Sequence, residues 1–193
     1  MRPLFLRQYF YDLRWYLFSV VLLFVCAGLV AFFVPSLFSF FDPYLRELVQ
    51  STEGLTGFAL FWFIVSNNVT VSSIAFIGGL FFGVLPVFFA LSNGAIVGYV
   101  MRLVSEENAG SWLYLIPHGV FELPAVFLSL ALGLQLGVQV VHFFLALYGC
   151  GSFRMYKKNL LAVLRRGVFL FCCLIVPLLV VAGIIETWLI VAW

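Results

Sequence analysis

Residues 117–124 read Pro-His-Gly-Val-Phe-Glu-Leu-Pro, inside a stretch that is otherwise almost wholly apolar. A histidine and a glutamate four residues apart share one face of a helix. Three chemistries suit His118 and Glu122. The first is structural: Pro117 fits the opening turn of a helix, so Glu122 would sit near the helix start. The dipole and unpaired N–H groups there favour a carboxylate, with His118 or an asparagine as partner. This is the preferred reading. The second is the handling of a proton or ion. The third is a metal site, since ligands at i and i+4 are a fair start; the third ligand would have to be distant, from Glu107 or His142. There is no HExxH for a zincin-type protease, and no serine, cysteine or paired-carboxylate arrangement that would serve catalysis. The chain is therefore expected not to be an enzyme, and to need no cofactor unless a metal sits at His118 and Glu122. An ionisable group at membrane depth costs from about 2.5 kcal/mol upward, so both residues must lie near a helix end, be paired, or be used.

Membrane depth is the relevant setting because the 193 residues are 65% hydrophobic and only 9% charged. Soluble domains carry roughly 25% charged residues. Lipid must solvate most of this surface, and only helices or a closed barrel satisfy their backbone there. The apolar runs are continuous and do not alternate, which rejects a barrel. The expected class is all-α: a polytopic transmembrane bundle of about five spans, with kinked or short helices and interfacial amphipathic helices, in one domain over 1–193. No nucleic-acid partner is expected. The four cysteines, Cys26, Cys150, Cys172 and Cys173, show no CxxC spacing and read as small packed or lipid-facing residues. No cleavable signal peptide is expected, because the apolar run from Trp15 is too long for one.

The expected spans are 15–41, 69–91, 93–104, 119–150 and 168–190. Pro35 is placed to kink or end the first. Residues 42–56 form a polar break that reads as a short interfacial amphipathic helix. Two partitions of 57–104 compete. In the preferred one, Asn67-Asn68 starts a helix and Asn93-Gly94 makes a turn. In the other, 57–80 and 84–104 each cross and the asparagines are intramembrane, where they would line a polar cavity with His118 and Glu122. The 112–150 stretch is either one long helix or two pieces broken near Gly133–Gly137. Residues 151–167 hold Arg154, Lys157, Lys158, Arg165 and Arg166 with no acid, and read as an amphipathic helix on an anionic cytoplasmic leaflet. Segments 42–56 and 105–111 are acidic. The basic segments are expected inside, so the N-terminus is cytoplasmic and the C-terminus external in the cell membrane, with Glu186-Thr187-Trp188 at the outer interface. Three small-xxx-small pairs, Gly79/Gly83, Gly94/Gly98 and Gly133/Gly137, let helix backbones approach closely. Packing within the chain is the simpler use of them, a homodimer interface the sharper one.

Asn67-Asn68, Gly78-Gly79-Leu80-Phe81-Phe82-Gly83 to Pro86, Leu91-Ser92-Asn93-Gly94 to Gly98, Pro117-His118-Gly119 with Glu122, and Gly133-Leu134-Gln135-Leu136-Gly137 together resemble the stage II sporulation protein M family. The likeness runs from about 67 to 137, and its most specific part is the His-Gly-x-x-Glu element with the preceding Asn-Gly. The resemblance implies an integral membrane protein of about five spans. It marks Asn68, Asn93, His118, Gly119 and Glu122 as a shared polar site. The founding member acts as the membrane scaffold for two cell-wall-degrading partners, so a scaffold or partner-recruiting role in the envelope is the expected function, with envelope or wall-remodelling proteins as partners. The alternative is a small transporter or channel using the intramembrane His/Glu/Asn site.

Overall fold

The computed structural model describes the backbone of residues 3–107, 116–149 and 151–192, and the side chains of 9–106, 119–120, 122–149 and 151–190. Seven α-helices follow one another: α1 (Pro3–Phe33), α2 (Asp42–Thr52), α3 (Gly57–Ile77), α4 (Val84–Glu107), α5 (Ile116–Leu147), α6 (Phe153–Leu170) and α7 (Val176–Ala192). No strand occurs among the described residues. Five segments are long and apolar enough to cross a membrane: Tyr9–Phe33, Gly57–Leu80, Val84–Glu106, Glu122–Leu147 and Phe153–Ile190.

The boundaries differ from the sequence expectation in three places, each for a local reason, while 119–150 forms the single span expected. The first span ends at Phe33 instead of running to 41. Val34, held out of the helical region by the following Pro35, has φ −128 and ψ 62, and two short 3₁₀ turns carry the chain to α2. The preferred partition of 57–104 is overturned. Asn67, Asn68, Asn93 and Gly94 all lie inside helices, and the turn falls at Gly78–Gly83. Asn93 holds its place by donating Nδ2–H to the Phe89 carbonyl one turn back, at 2.8 Å. The turn uses Phe82 (φ +56) and Gly83 (φ +78), left-handed positions that end α3 and start α4. The 119–150 stretch is one helix, unbroken at Gly133–Gly137, with Pro124 inside it. Finally, the basic segment is not separate from the bundle. α6 packs along α5, with Tyr156 beside His142 (5.6 Å) and Phe153 beside Phe143 (5.1 Å). It runs into α7 through a π turn at Phe171–Ile175, where Val176 N–H reaches back to Phe171 O. Pro177, just beyond, lacks an N–H and crowds the preceding turn, which a π turn accommodates. Residues 168–190 are thus the second part of a longer helix. α2 falls within the expected interfacial segment 42–56.

α5 is the central helix: α1, α3, α4, α6 and α7 all pack on it. Its buried stripe of Ala125, Ser129, Leu132 and Leu136 repeats at the three-to-four spacing of one helix face. All three glycine pairs are spent inside the chain. A Cβ at Gly94 would strike the Phe24 carbonyl, and one at Gly98 the Gly28 carbonyl, so α4 lies against the backbone of α1. Likewise Gly79 faces Gly133, Gly133 faces Ala75 and Pro86, and Gly137 faces Gly83. The Ser129 hydroxyl donates to the Ser72 carbonyl, so α3 and α5 run side by side in one direction. A second polar tie crosses the bundle. Buried Tyr9 donates to Gln135 Oε1 at 2.9 Å, and the Arg166 guanidinium lies 5.9 Å from the Tyr9 ring.

Two stability outcomes follow. Gly98→Leu forces α1 and α4 apart and lowers stability by about 1–3 kcal/mol, the usual cost of overpacking. Gly119→Ala, whose new Cβ meets among the described residues only the Leu123 side chain at 3.4 Å, leaves it nearly unchanged; thermal unfolding in detergent compares the two. Tyr9→Phe strips the donor from Gln135, which is 6% exposed, and costs about 1–3 kcal/mol. Adding Gln135→Leu to that variant recovers much of the loss, because no buried acceptor is then left over; equal melting temperatures for the single and double variants would refute this account of the tie.

Candidate functional site

Each helix that meets near α2 carries one polar interruption in its inward stripe. On α3 the buried positions Leu60, Ile64, Ser72 and Ala75 are bridged by Asn68 at the same spacing, with Asn67 beside it. On α5 the stripe through Ala125 and Ser129 continues one turn back to Glu122. From the end of the π turn into α7, the fully buried Ile175, Leu179 and Ala182 continue to Glu186, four residues on. On α4 the interruption is Asn93, one residue before the glycine that touches α1. Because all four faces point to the same place, these side chains converge.

The result is a cavity of about 460 Å³. Asn67, Asn68 and Ser72 come to it from α3, Asn93 from α4, Glu122 from α5 and Glu186 from α7. Phe63, Ile64, Ile96 and Val126 supply apolar wall. α2 closes one side with Tyr44, Leu48, Val49 and Thr52. That helix is held in place from within the bundle: the hydroxyl of Tyr99, itself 4% exposed, donates to Asp42 Oδ1 at 2.7 Å. Asp42 begins α2, so the bond fixes the start of the covering helix to α4.

Glu122 and Glu186 are each half-buried, and Oε2 of each is shielded from solvent. Ser72 is 2% exposed, and its hydroxyl is buried with no hydrogen-bond partner among the described residues. Among the described lining residues, Glu122 and Glu186 are the only acids and none is basic. The surface thus offers carboxylates, amides and a hydroxyl on a partly apolar wall. Such a surface can bind a polar or positively charged solute by hydrogen bonds and charge. Among the described lining residues none forms a nucleophile with a base beside it.

Of the polar cluster expected from sequence, Asn68, Asn93 and Glu122 do come together. Gly119 is in the first turns of α5 but is not part of the cavity lining. The side chain of His118 lies outside the described residues, as does that of Glu107. His142 cannot join Glu122 as a metal ligand, since twenty residues of the same helix separate them, about 30 Å along the axis. Among the described residues no group of three His, Cys, Asp or Glu is placed to hold a metal ion.

Sequence reasoning missed Glu186, Ser72 and the part played by α2. The sequence places Glu186 at the outer interface with Trp188, and two signals also mark it as a lining residue. It is the only charged residue after Arg166, and it lies in helical register with the apolar positions Ile175, Leu179 and Ala182. Ser72 had no signal of its own, because a serine in a membrane helix commonly bonds its own backbone; Ser73 does so, to Val69 O at 2.6 Å.

Comparison with known proteins places this architecture. No solved structure matches the chain. An uncharacterised protein of Methanocaldococcus jannaschii is 27% identical over 176 residues, which are 89% of this chain and 75% of that protein. The model of the family described as "Stage II sporulation protein M" matches residues 19–189, from the first turns of the membrane-crossing part of α1 to near the end of α7. The stretch takes in every helix that lines the cavity, and the chain belongs to the stage II sporulation protein M family.

Proposed function

We propose that this protein is a solute-handling membrane protein, of the small transporter or channel class, that admits a polar solute to the cavity from the α2 end. The observation that carries this reading is the convergence of Asn68, Asn93, Glu122 and Glu186 from four different helices on one cavity of about 460 Å³. Membrane helices bear polar groups at such a cost that these mark solute or ion pathways more often than packing. The basic segments at 1–14 and 151–167 orient the chain with its N-terminus in the cytoplasm. Five crossings then put α2 and the cavity mouth on the outer face of the cell membrane.

A second reading is supported by family membership and by the outer surface of α6. In it the protein is a scaffold or partner-recruiting component of the envelope. Arg154, Lys157, Lys158 and Arg165 are exposed there beside exposed Phe153, Met155 and Leu161, a mixed surface of the kind partners use. The two readings are separable, because the cavity and this surface lie at opposite ends of the bundle.

Thiol accessibility tests the first. With the four native cysteines replaced by serine, Asn68→Cys and Asn93→Cys are expected to react with a membrane-impermeant maleimide added outside intact cells. Leu132→Cys, in the α5 core, is not. If neither asparagine position labels from either side of the membrane, the cavity is closed to solutes and the reading fails. Under the scaffold reading, partner proteins co-purify equally with wild type and Glu186→Gln, and are lost when Lys157 and Lys158 are changed to glutamate.

A further inference from the structure

At the end of the bundle away from the cavity the helices differ in length, and the longer ones stand out beyond the rest. We infer that the first half of α6 is a docking face for a partner protein, and that it takes a helical segment with acidic residues along one side. This inference rests on the partner-recruiting reading above and names the partner's chemistry.

Packing fixes how far α6 projects. α3 is 21 residues long, about 31 Å, which matches the roughly 30 Å of hydrocarbon in a bilayer. Its end and the turn that follows therefore mark one edge of that layer. Gly137 meets Gly83 in that turn, and Gly167 meets the Phe76 ring in the last turn of α3. α5 and α6 thus reach the edge at Gly137 and Gly167. Beyond it α5 runs on to Leu147, about 15 Å further. α6 comes back along it, with Phe153 beside Phe143 and Tyr156 beside His142. From Phe153 to Gly167 it covers about 21 Å. The headgroup layer adds only about 5–8 Å outside the hydrocarbon. The start of α6 therefore stands clear of the lipid.

The composition of this projecting face selects the occupant. Arg154, Lys157, Lys158, Leu161 and Arg165 recur at the three-to-four spacing of one helix face, and all five are exposed. Leu160, Val163 and Leu164, on the other side of the helix, pack on the core. The charged stripe is thus turned away from its own bundle. No aspartate or glutamate occurs between Glu122 and Glu186, so the projecting α5–α6 pair brings no acid to the stripe. Asp12 acts on Tyr9, on α1. Tyr9 meets α6 at Arg166, about 12 Å along the helix from Lys158. From Arg154 to Arg165 the four cations extend over about 16 Å, the length of three turns of a facing helix with a row of carboxylates. Leu161, between the cations, supplies the apolar contact that a protein interface needs at its centre. A basic helix that binds anionic lipid lies flat in the headgroup plane, whereas α6 is held along α5 and leads away from that plane.

The test puts the photo-crosslinker p-benzoylphenylalanine in place of Leu161 in the full chain, made in the protein's own host cells. A second chain carries it in place of Phe58, which is exposed near the opposite end of the bundle. Light is expected to give a protein adduct from position 161 and not from 58. Mass spectrometry is expected to place the attachment in a segment with Asp or Glu at helical spacing. Changing Lys157 and Lys158 to glutamate lowers the yield about tenfold or more, with the melting temperature in detergent nearly unchanged because both side chains are exposed. Changing the acids of the mapped segment to lysine restores it. An adduct in a segment without acids overturns the stated chemistry and leaves the partner-recruiting reading standing. Adducts with lipid alone overturn the docking face and assign α6 to the membrane surface. No adduct at all also overturns it, and the co-purification experiment then decides the partner-recruiting reading by itself.

Discussion

The α3–α4 hairpin lies directly on the backbone of α5, because Gly79, Gly133 and Gly137 present no side chain where the helices meet. Between membrane helices, lipid gives no hydrophobic reason to associate, so van der Waals contact at short range has to supply it. That contact sets the level of everything above it. With Gly133 against the Ala75 carbonyl and Ser129 bonded to the Ser72 carbonyl, α3 and α5 keep a register of about 57 residues as they run side by side. Two turns further from the hairpin, the same register brings Asn67 and Asn68 beside the opening turns of α5, where Glu122 is found. The Gly94 and Gly98 contacts with α1 do for α4 what Gly133 does for α3, and aim Asn93 the same way. The cavity is where the four inward stripes turn polar while their spacing is still dictated from below.

This also explains which parts were legible in the sequence. The all-helical class followed from continuous apolar runs, α2 from a polar break with charged residues, and the grouping of Asn68 and Asn93 with Glu122 from resemblance. The helix boundaries in 57–104 were not legible from local propensity. Asparagine is read as a cap because in water its side chain competes for the backbone. In a membrane there is no water to complete a broken turn, so the helix continues and the amide bonds within it, as Asn93 does to Phe89. The real turn at Gly78–Gly83 was visible as glycine, but those residues also matched a packing motif, and they serve both purposes. The part of Glu186 in the cavity lining was not legible because an acid near the end of an apolar run reads only as a membrane-surface residue; its register with Ile175, Leu179 and Ala182 turns it to the cavity.

α2 is joined to this arrangement by one strong constraint at its first residue. Asp42 accepts from Tyr99, and Leu45 packs on the small cluster of Ala31, Ala95 and Tyr99. The rest of the helix has no buried residue. Its far end runs into Glu53 and Gly54, where an extended residue and then a positive φ of 77 release the chain toward α3. A helix anchored at one end and lightly packed along its length is the kind of element whose local opening costs little. The wall it forms on the cavity is therefore the one most easily moved.

Two carboxyl groups and three amides in a membrane bundle are expensive to keep, whatever the chain does. A bundle required only to hold partner proteins could fill the same volume with leucine and valine, as α5 does about three to four turns beyond Glu122 at Leu132 and Leu136, both essentially inaccessible. Replacing buried ionic groups by packed apolar ones is often neutral or stabilising. A structural task for Glu122 alone is served by its place near the start of α5, where the helix dipole favours a carboxylate. Glu186 stands near the far end of its own helix, and the packing of α7 on α5 brings it to the same cavity as Glu122, which stands near the start of its helix.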